Sequence, residues 1–203
     1  PLSGPPELRN FLLLWISMMI ASSAGFAIIG HLAAMAQEIG LNPIISALTV
    51  TCFSVANASG RIIIGWVSDR IGRIKTLTMI FFCQAINMLL LFTNLHMSYL
   101  LIFIASTAAG LFYGPIYALY PAIIADRYGS DRVGSLYGLL MTACAVGSFF
   151  GPYLMGIIYD STEEYYLSFV VLGILLAIDT GLALRLSLIH ISEPTRPLYT
   201  SYA

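Results

Sequence analysis

Apolar residues run through this chain in long blocks, and the polar residues between them come in short clusters. The blocks lie over 11–35, 44–67, 76–93, 98–125, 133–159 and 165–184. Each is long enough to cross about 30 Å of hydrocarbon, which takes roughly 20 residues of helix. In lipid every backbone N–H must find its partner inside its own segment unless the strands close into a barrel, and these runs are far longer than a barrel strand. The pattern therefore predicts an all-α fold, a polytopic membrane helix bundle with six transmembrane helices. Composition agrees, with 59% hydrophobic residues, 9% charged residues and a mean hydropathy of +0.87. The chain begins with Pro1 and no cleavable signal precedes the first block, which reads as a piece of a longer polypeptide.

Charge adds an orientation. Arg9 precedes the first block, Arg70, Arg73 and Lys75 follow the second, Arg127 and Arg132 follow the fourth, and Arg185 closes the sixth. The alternate connections, near 37–42, 94–97 and 160–164, hold no Lys or Arg. Bases in short loops collect on the cytoplasmic side, so both ends of the bundle are expected to be cytoplasmic in a cell (inner or plasma) membrane. The net charge of −1 conceals this asymmetry. Cys52, Cys83 and Cys144 fall inside apolar blocks, where they act as small apolar side chains rather than disulfide or metal partners. From Leu186 the chain turns polar and carries Pro194 and Pro197. The string LSLIHISEPTR resembles the in-frame translation of a transposase adapter used in sequencing libraries, so residues 186–203 are set aside as non-native read-through; the other reading is a genuine cytoplasmic tail.

The cluster over 65–75, GWVSDRIGRIK, places one acid, three bases and two glycines in a tight loop between two spans. Gly65, Asp69, Arg70, Gly72, Arg73 and Lys75 stand in the register of G-x-x-x-D-R-x-G-R-x-K, the loop joining the second and third helices of each half of a major facilitator superfamily carrier, and the chain resembles that superfamily. The strings FLLLW, GHLAAMAQEIG, VANASGRIIIGWVSDRIGR, YGPIYALYPAIIADRYG and YGLLMTACAVGSFFGP resemble the C-terminal half of its oxalate/formate antiporter branch, which also holds lactate carriers. The likeness covers Pro6 to about Tyr159. It implies that residues 1–10 end a central cytoplasmic loop, that 11–185 form one six-helix half of a twelve-helix fold, and that the N-terminal half of the same polypeptide is a partner. It also implies a latch on the cytoplasmic side, with Asp69 at the positive end of a neighbouring helix and Arg73 paired with a carboxylate, for which Asp126 is the expected partner. Lys75 reads equally well as an ordinary membrane-flanking base.

Arg61 is the base placed inside a span, where a charge is costly unless it faces a polar cavity or reaches the interface. Two readings stand: a fork that grips a carboxylate, as the resemblance implies, or a side chain that snorkels to the cytoplasmic interface. Asn57 lies one turn earlier on the same face, with Ser54 beside it. In proton-coupled monocarboxylate carriers an acid commonly occupies that position, so Asn57 fits anion exchange better; interhelical hydrogen bonding is the alternative. Tyr113 and Tyr117 share a face of the fourth span around a Gly114–Pro115 break, and read either as walls of a substrate cavity or as packing. Oxalate carriers of the resembling branch are expected to hold a lysine where this chain has Cys144, which favours a monocarboxylate such as lactate or formate over a dianion.

The remaining polar residues read as packing: His31 and the Gln84/Asn87 pair as interhelical glue, and the Gly134/Gly138 and Gly147/Gly151 pairs as close helix contacts. Asp179 has two readings, an acid snorkelling to the cytoplasmic interface, which is favoured, and a proton site. No nucleotide cradle of the G-x-x-x-x-G-K type, no metal cluster and no basic patch for nucleic acid is found, so no cofactor is expected. Ser59, in ASGR, does not sit in a nucleophile elbow, which speaks against an intramembrane hydrolase and against any enzyme. The expected function is secondary transport of a small organic anion by alternating access. The alternatives are a membrane sensor or scaffold on the carrier fold, or a carrier for a different small solute.

Overall fold

A computed structural model describes residues 8–192. Its helices are α1 Leu8–Glu38, α2 Pro43–Ile71, α3 Arg73–Ile86, α4 Tyr99–Tyr113, α5 Ile116–Tyr128, α6 Val133–Thr162 and α7 Tyr166–Ser192. They make six segments long and apolar enough to cross a membrane, because α4 and α5 are two halves of one span, Tyr99–Tyr128. No strand occurs among the described residues. The helices outrun the apolar blocks, since polar residues such as Arg9, Asn10 and Gln37 continue the helical ladder into the interface. In the third span the α-helix stops at Ile86 and passes into a π-helical turn, Asn87–Leu91, then a 3₁₀ stretch, Phe92–Met97. The apolar pattern carries no trace of that change. Of the tail set apart in the sequence, Leu186–Ser192 continues α7 as helix, while 193–203 lie outside the described residues, as do 1–7.

Local chemistry sets several of the boundaries. The side chain of Asn42 accepts a hydrogen bond from Ile45 N at 2.9 Å, with Pro43 at the first helical position of α2, and Ser98 caps α4 through Leu100 N at 3.2 Å. The expected loop over 65–75 is not a loop. Helix α2 continues through Asp69 and Arg70 to Ile71, and the turn is made at Gly72 alone, whose φ of 97° is a conformation L side chains rarely adopt.

Three pairings dominate the packing: α1 with α6, α2 with α4, and α3 with α7. Exchanging the first three spans with the last three maps this set onto itself, the signature of an internal repeat. Two of the pairings are backbone-close. A Cβ on Gly110 or Gly114 would fall on the carbonyl oxygens of Phe53 and Asn57, and one on Gly60 would meet Leu111 O at 2.5 Å. Across the other pair, Gly147 and Gly151 lie against the carbonyls of Met19 and Ser23. Gly134 and Gly138 meet nothing within 4 Å, so that expected contact is not made among the described residues. Asn87 reaches across to Ala105 O at 3.0 Å and bonds Gln84 at 3.4 Å, the interhelical role its position suggests. Helices α2 and α6 bury the least of themselves and present Val55, Ile62, Leu139, Phe149 and Phe150 outward.

Candidate functional site

Asn57 is the midpoint of α2, and Arg61 stands one turn on towards Gly72. Arg61 Nη2 donates to Asn57 Oδ1 at 3.1 Å, which draws the guanidinium back towards mid-span and away from the end where the bases cluster. That direction is opposite to snorkelling. The guanidinium carbon lies 5.4 Å from the ring centre of Tyr117, within cation–π range. The Tyr117 hydroxyl is 2.5 Å from that of Tyr113 and 3.5 Å from Cys144 Sγ. The structure therefore brings together Arg61, Asn57, Tyr113, Tyr117 and Cys144 from three spans. Arg61 makes no ion pair among the described residues.

The break between α4 and α5 positions the two tyrosines. Pro115 has no N–H to offer the Leu111 carbonyl, and it is against this carbonyl that Gly60 of α2 packs. Gly114 lies on the Asn57 carbonyl itself. The Asn57–Arg61 turn of α2 and the helix break are thus one packed unit. Behind it, Tyr113 is buried against Phe26 and Phe53, with ring centroids at 6.0 and 6.2 Å, and Gly25 leaves the space its ring fills. Arg61 is exposed, Asn57 and Tyr117 are half-buried, and Cys144 is buried, so the cluster is one wall with its charge facing outward. Tyr137, two helical turns before Cys144 on α6, lies in the field of Arg61 as well. Its seven-residue spacing from Cys144 is a signal that the sequence reading passed over.

At the basic end, Arg73 Nε donates to Asp126 Oδ2 at 2.8 Å and Arg73 Nη1 lies 3.0 Å from Asp69 Oδ1. Arg73 opens α3, Asp69 closes α2 and Asp126 closes α5, so one guanidinium ties three helix ends. Arg73 Nη1 also reaches Ser68 Oγ at 3.4 Å. Arg70 takes no part and lies over the Trp66 ring at 3.8 Å. Lys75 is exposed and without an ion pair among the described residues, and Gly65 meets nothing within 4 Å, so no close approach uses it here. A cavity of about 450 Å³ opens beside the ion pairs, lined by Gly72, Arg73, Lys75, Asp126 and Arg127 among others. It belongs to these ion pairs and not to the Arg61 cluster. Arg127 donates to the Leu186 carbonyl at 2.9 Å, which brings the end of α7 to the same basic end.

The opposite end is acidic, with Glu38, Asp160, Glu163 and Glu164. His31 is held there by Tyr165 OH and the Pro152 carbonyl, each at 3.3 Å, in keeping with a packing role.

The reading of Asp179 as a snorkelling acid is overturned. Its relative exposure is 0% and neither carboxyl oxygen has a hydrogen-bond partner. The face of α7 that carries it turns inward to α1 and α5 rather than to the interface.

The family model for the Major Facilitator Superfamily matches residues 14–199. Monocarboxylate transporter 13 of Rattus norvegicus is 27% identical over 177 residues, which is 87% of this chain and 41% of that protein. The Oxalate:formate antiporter of Oxalobacter formigenes is 29% identical over 143 residues, 70% of this chain and 34% of that protein. An uncharacterized MFS-type transporter of Escherichia coli (strain K12), YhjX, is 28% identical over 142 residues, 68% of this chain and 35% of that protein. The chain thus spans well under half the length of these relatives. Six membrane-length helices, ion-paired helix ends in the G-x-x-x-D-R-x-G-R-x-K register and a match over most of its length lead to one assignment: the chain belongs to the major facilitator superfamily.

Proposed function

We propose that these six helices form the C-terminal half of a secondary transporter that moves small organic anions by alternating access. One observation carries the reading: Arg61, one turn from the midpoint of α2, is held by Asn57 beside the Tyr117 ring and pairs with no carboxylate among the described residues. A permanently charged fork in that setting is suited to a carboxylate delivered from outside the protein. A single base favours a monocarboxylate such as lactate or formate, because the second charge of oxalate would be desolvated against the neutral Cys144. The relatives' names, a monocarboxylate transporter and an oxalate:formate antiporter, support this ligand class. The Arg73–Asp126–Asp69 ion pairs act as the latch of the closed cytoplasmic side, with the basic end of the bundle inside the cell. The other wall of the cavity comes from the N-terminal half of the same polypeptide. No cofactor or nucleic acid takes part.

The test is uptake into proteoliposomes of the complete carrier, preloaded with unlabelled anion, comparing labelled lactate, formate and oxalate for wild type and Arg61→Gln. Monocarboxylate exchange that Arg61→Gln abolishes is the expected result. Faster oxalate exchange would overturn the one-base selectivity, and no uptake of any of the three would remove this substrate class.

A further inference from the structure

Apart from the Arg61 wall and the latch, the described residues contain one carboxyl group sealed inside the bundle without a counter-charge. Asp179 of α7 is 0% exposed, and both carboxyl oxygens lack a hydrogen-bond partner. Burial within this half is already complete, so nothing packed on the outside of the six helices can reach it. Ser17 of α1 is the polar group that acts on the carboxyl, though its hydroxyl falls short of good hydrogen-bond geometry. Tyr120 of α5, itself 0% exposed, donates its hydroxyl to Ser17 Oγ at 2.9 Å and is the titratable group that faces Asp179. Among the described residues no charged side chain of α3 or α6 pairs with the carboxyl. Arg127 is engaged with the Leu186 carbonyl, and Arg185, six residues along α7, is exposed.

Two facts follow from elementary electrostatics. A buried carboxylate with neither a counter-charge nor a donor among the described residues is strongly disfavoured, so this arrangement is one for the neutral acid. An acidic residue is also an expensive way to place a neutral hydrogen-bonding group inside a membrane protein, where Asn would do, which marks intramembrane acids as candidate proton sites. Asp179 is moreover tied to the substrate helix. Tyr113, Tyr117 and Tyr120 recur at spacings of four and three on the broken span, so one face of it carries Tyr117 at the Arg61 wall and Tyr120 at the Ser17–Asp179 cluster. Movement of α5 against α1 and α7 would disturb both ends of that stripe at once.

We propose that Asp179 is the proton-binding site of this carrier, coupled to the anion site through Tyr120 and Ser17. The inference rests on the anion reading of Arg61 for its cargo, but not for its chemistry. The carboxylate accepts a proton on the side where the cavity opens, the neutral acid is the form that packs as described, and the proton leaves on the opposite side with the anion. Asn57 lacks an acid beside Arg61, so Asp179 supplies the titrating group from a separate helix.

The experiment uses the complete carrier, purified and reconstituted. Infrared difference spectra between acid and alkaline buffer are recorded for wild type, Asp179→Asn and Asp179→Glu, with lactate as the added anion. A protonated-carboxyl stretch that titrates in wild type, vanishes in Asp179→Asn and moves in Asp179→Glu is expected, and added lactate shifts its midpoint. In parallel, a trapped pH dye reports protons entering with labelled lactate. Asp179→Asn should reduce pH-driven accumulation about tenfold, in the range of ordinary coupling between two sites, with residual flux indifferent to the gradient. A titrating band without lactate transport would sink the anion reading and leave the proton site standing. Absence of the band, a band that never titrates, or pH-driven accumulation that survives Asp179→Asn would overturn the proposal. Should Asp179→Asn fail to fold, the Asp179→Glu band shift and Tyr120→Phe, expected to move the midpoint, decide the question.

Discussion

At the scale of single residues, the neutral side chain beside Arg61 is the informative choice. Asn57 Oδ1 lies 3.1 Å from Nη2, close enough that a carboxylate in its place would form a charge-assisted pair and occupy the fork. Asn57→Asp should therefore raise the KM for lactate at neutral pH by roughly tenfold, the equivalent of about 1.4 kcal/mol of competition. Steady-state uptake kinetics at neutral pH check this, and an unchanged KM would mean that Arg61 does not meet the anion. The Arg61 cluster was legible in the sequence because a charge inside an apolar block is conspicuous and helical spacing assigns its neighbours. Asp179 was misread for a related reason. Its distance from Arg185 placed it towards one end of the sixth apolar block, yet it is the midpoint of α7, and α7 is apolar almost all round, so nothing in the string shows which face turns inward.

At the scale of elements, function depends on how closely α2 and α4 approach. Gly110→Val would put a Cβ onto the Phe53 carbonyl oxygen, and a backbone atom cannot swing aside as a side chain can. The expected outcome is a loss of about 1–3 kcal/mol from overpacking, together with displacement of Tyr117 from Arg61. Thermal unfolding in detergent should show the first, and loss of stabilisation by added lactate the second. Gly65→Ala, at a position with open space, should leave the unfolding temperature unchanged, and an equal loss at both sites would refute the packing account. The latch operates on a different scale of energy. With side-chain exposures of 30% for Arg73 and 57% for Asp126, their ion pair is worth about 0.2–1 kcal/mol after screening. Asp126→Asn is thus expected to leave stability intact and to move the balance towards the inward-open form by only about 1.4- to fivefold. Labelling rates of a cysteine introduced in the cytoplasmic cavity would measure that shift. The Gly114–Pro115 break could be foreseen because Pro removes a backbone donor whatever surrounds it. The use of Gly60 and Gly110 could not, since it depends on which helix faces meet. The turn at Gly72 was expected as a loop because a Gly between charges looks the same whether the helix ends early or at the last residue.

At the scale of the molecule, the exposure of the charged wall decides what these helices can do alone. Arg61 is exposed, and α2 and α6, the helices that carry Arg61 and Cys144, bury less of themselves than the other four spans. An internal repeat of three and three spans closes the α1–α6, α2–α4 and α3–α7 contacts within this half, so the six helices should insert and pack without help. Transport asks for more. Alternating access needs a second rigid body against which the first can rock, with the site between them. The sequence showed the basis for this in its count of spans and its basic loops, while the packing adds which helices are left uncovered. Inserted alone into proteoliposomes, residues 1–203 should take up no more labelled lactate or formate than protein-free vesicles. Supplying the rest of the polypeptide as a separate chain should restore exchange if a second body docks on the surface that α2 and α6 leave open. Uptake by the six helices alone would show that the cavity has both its walls within them, and the Arg61 face would then have to be an interface between two copies.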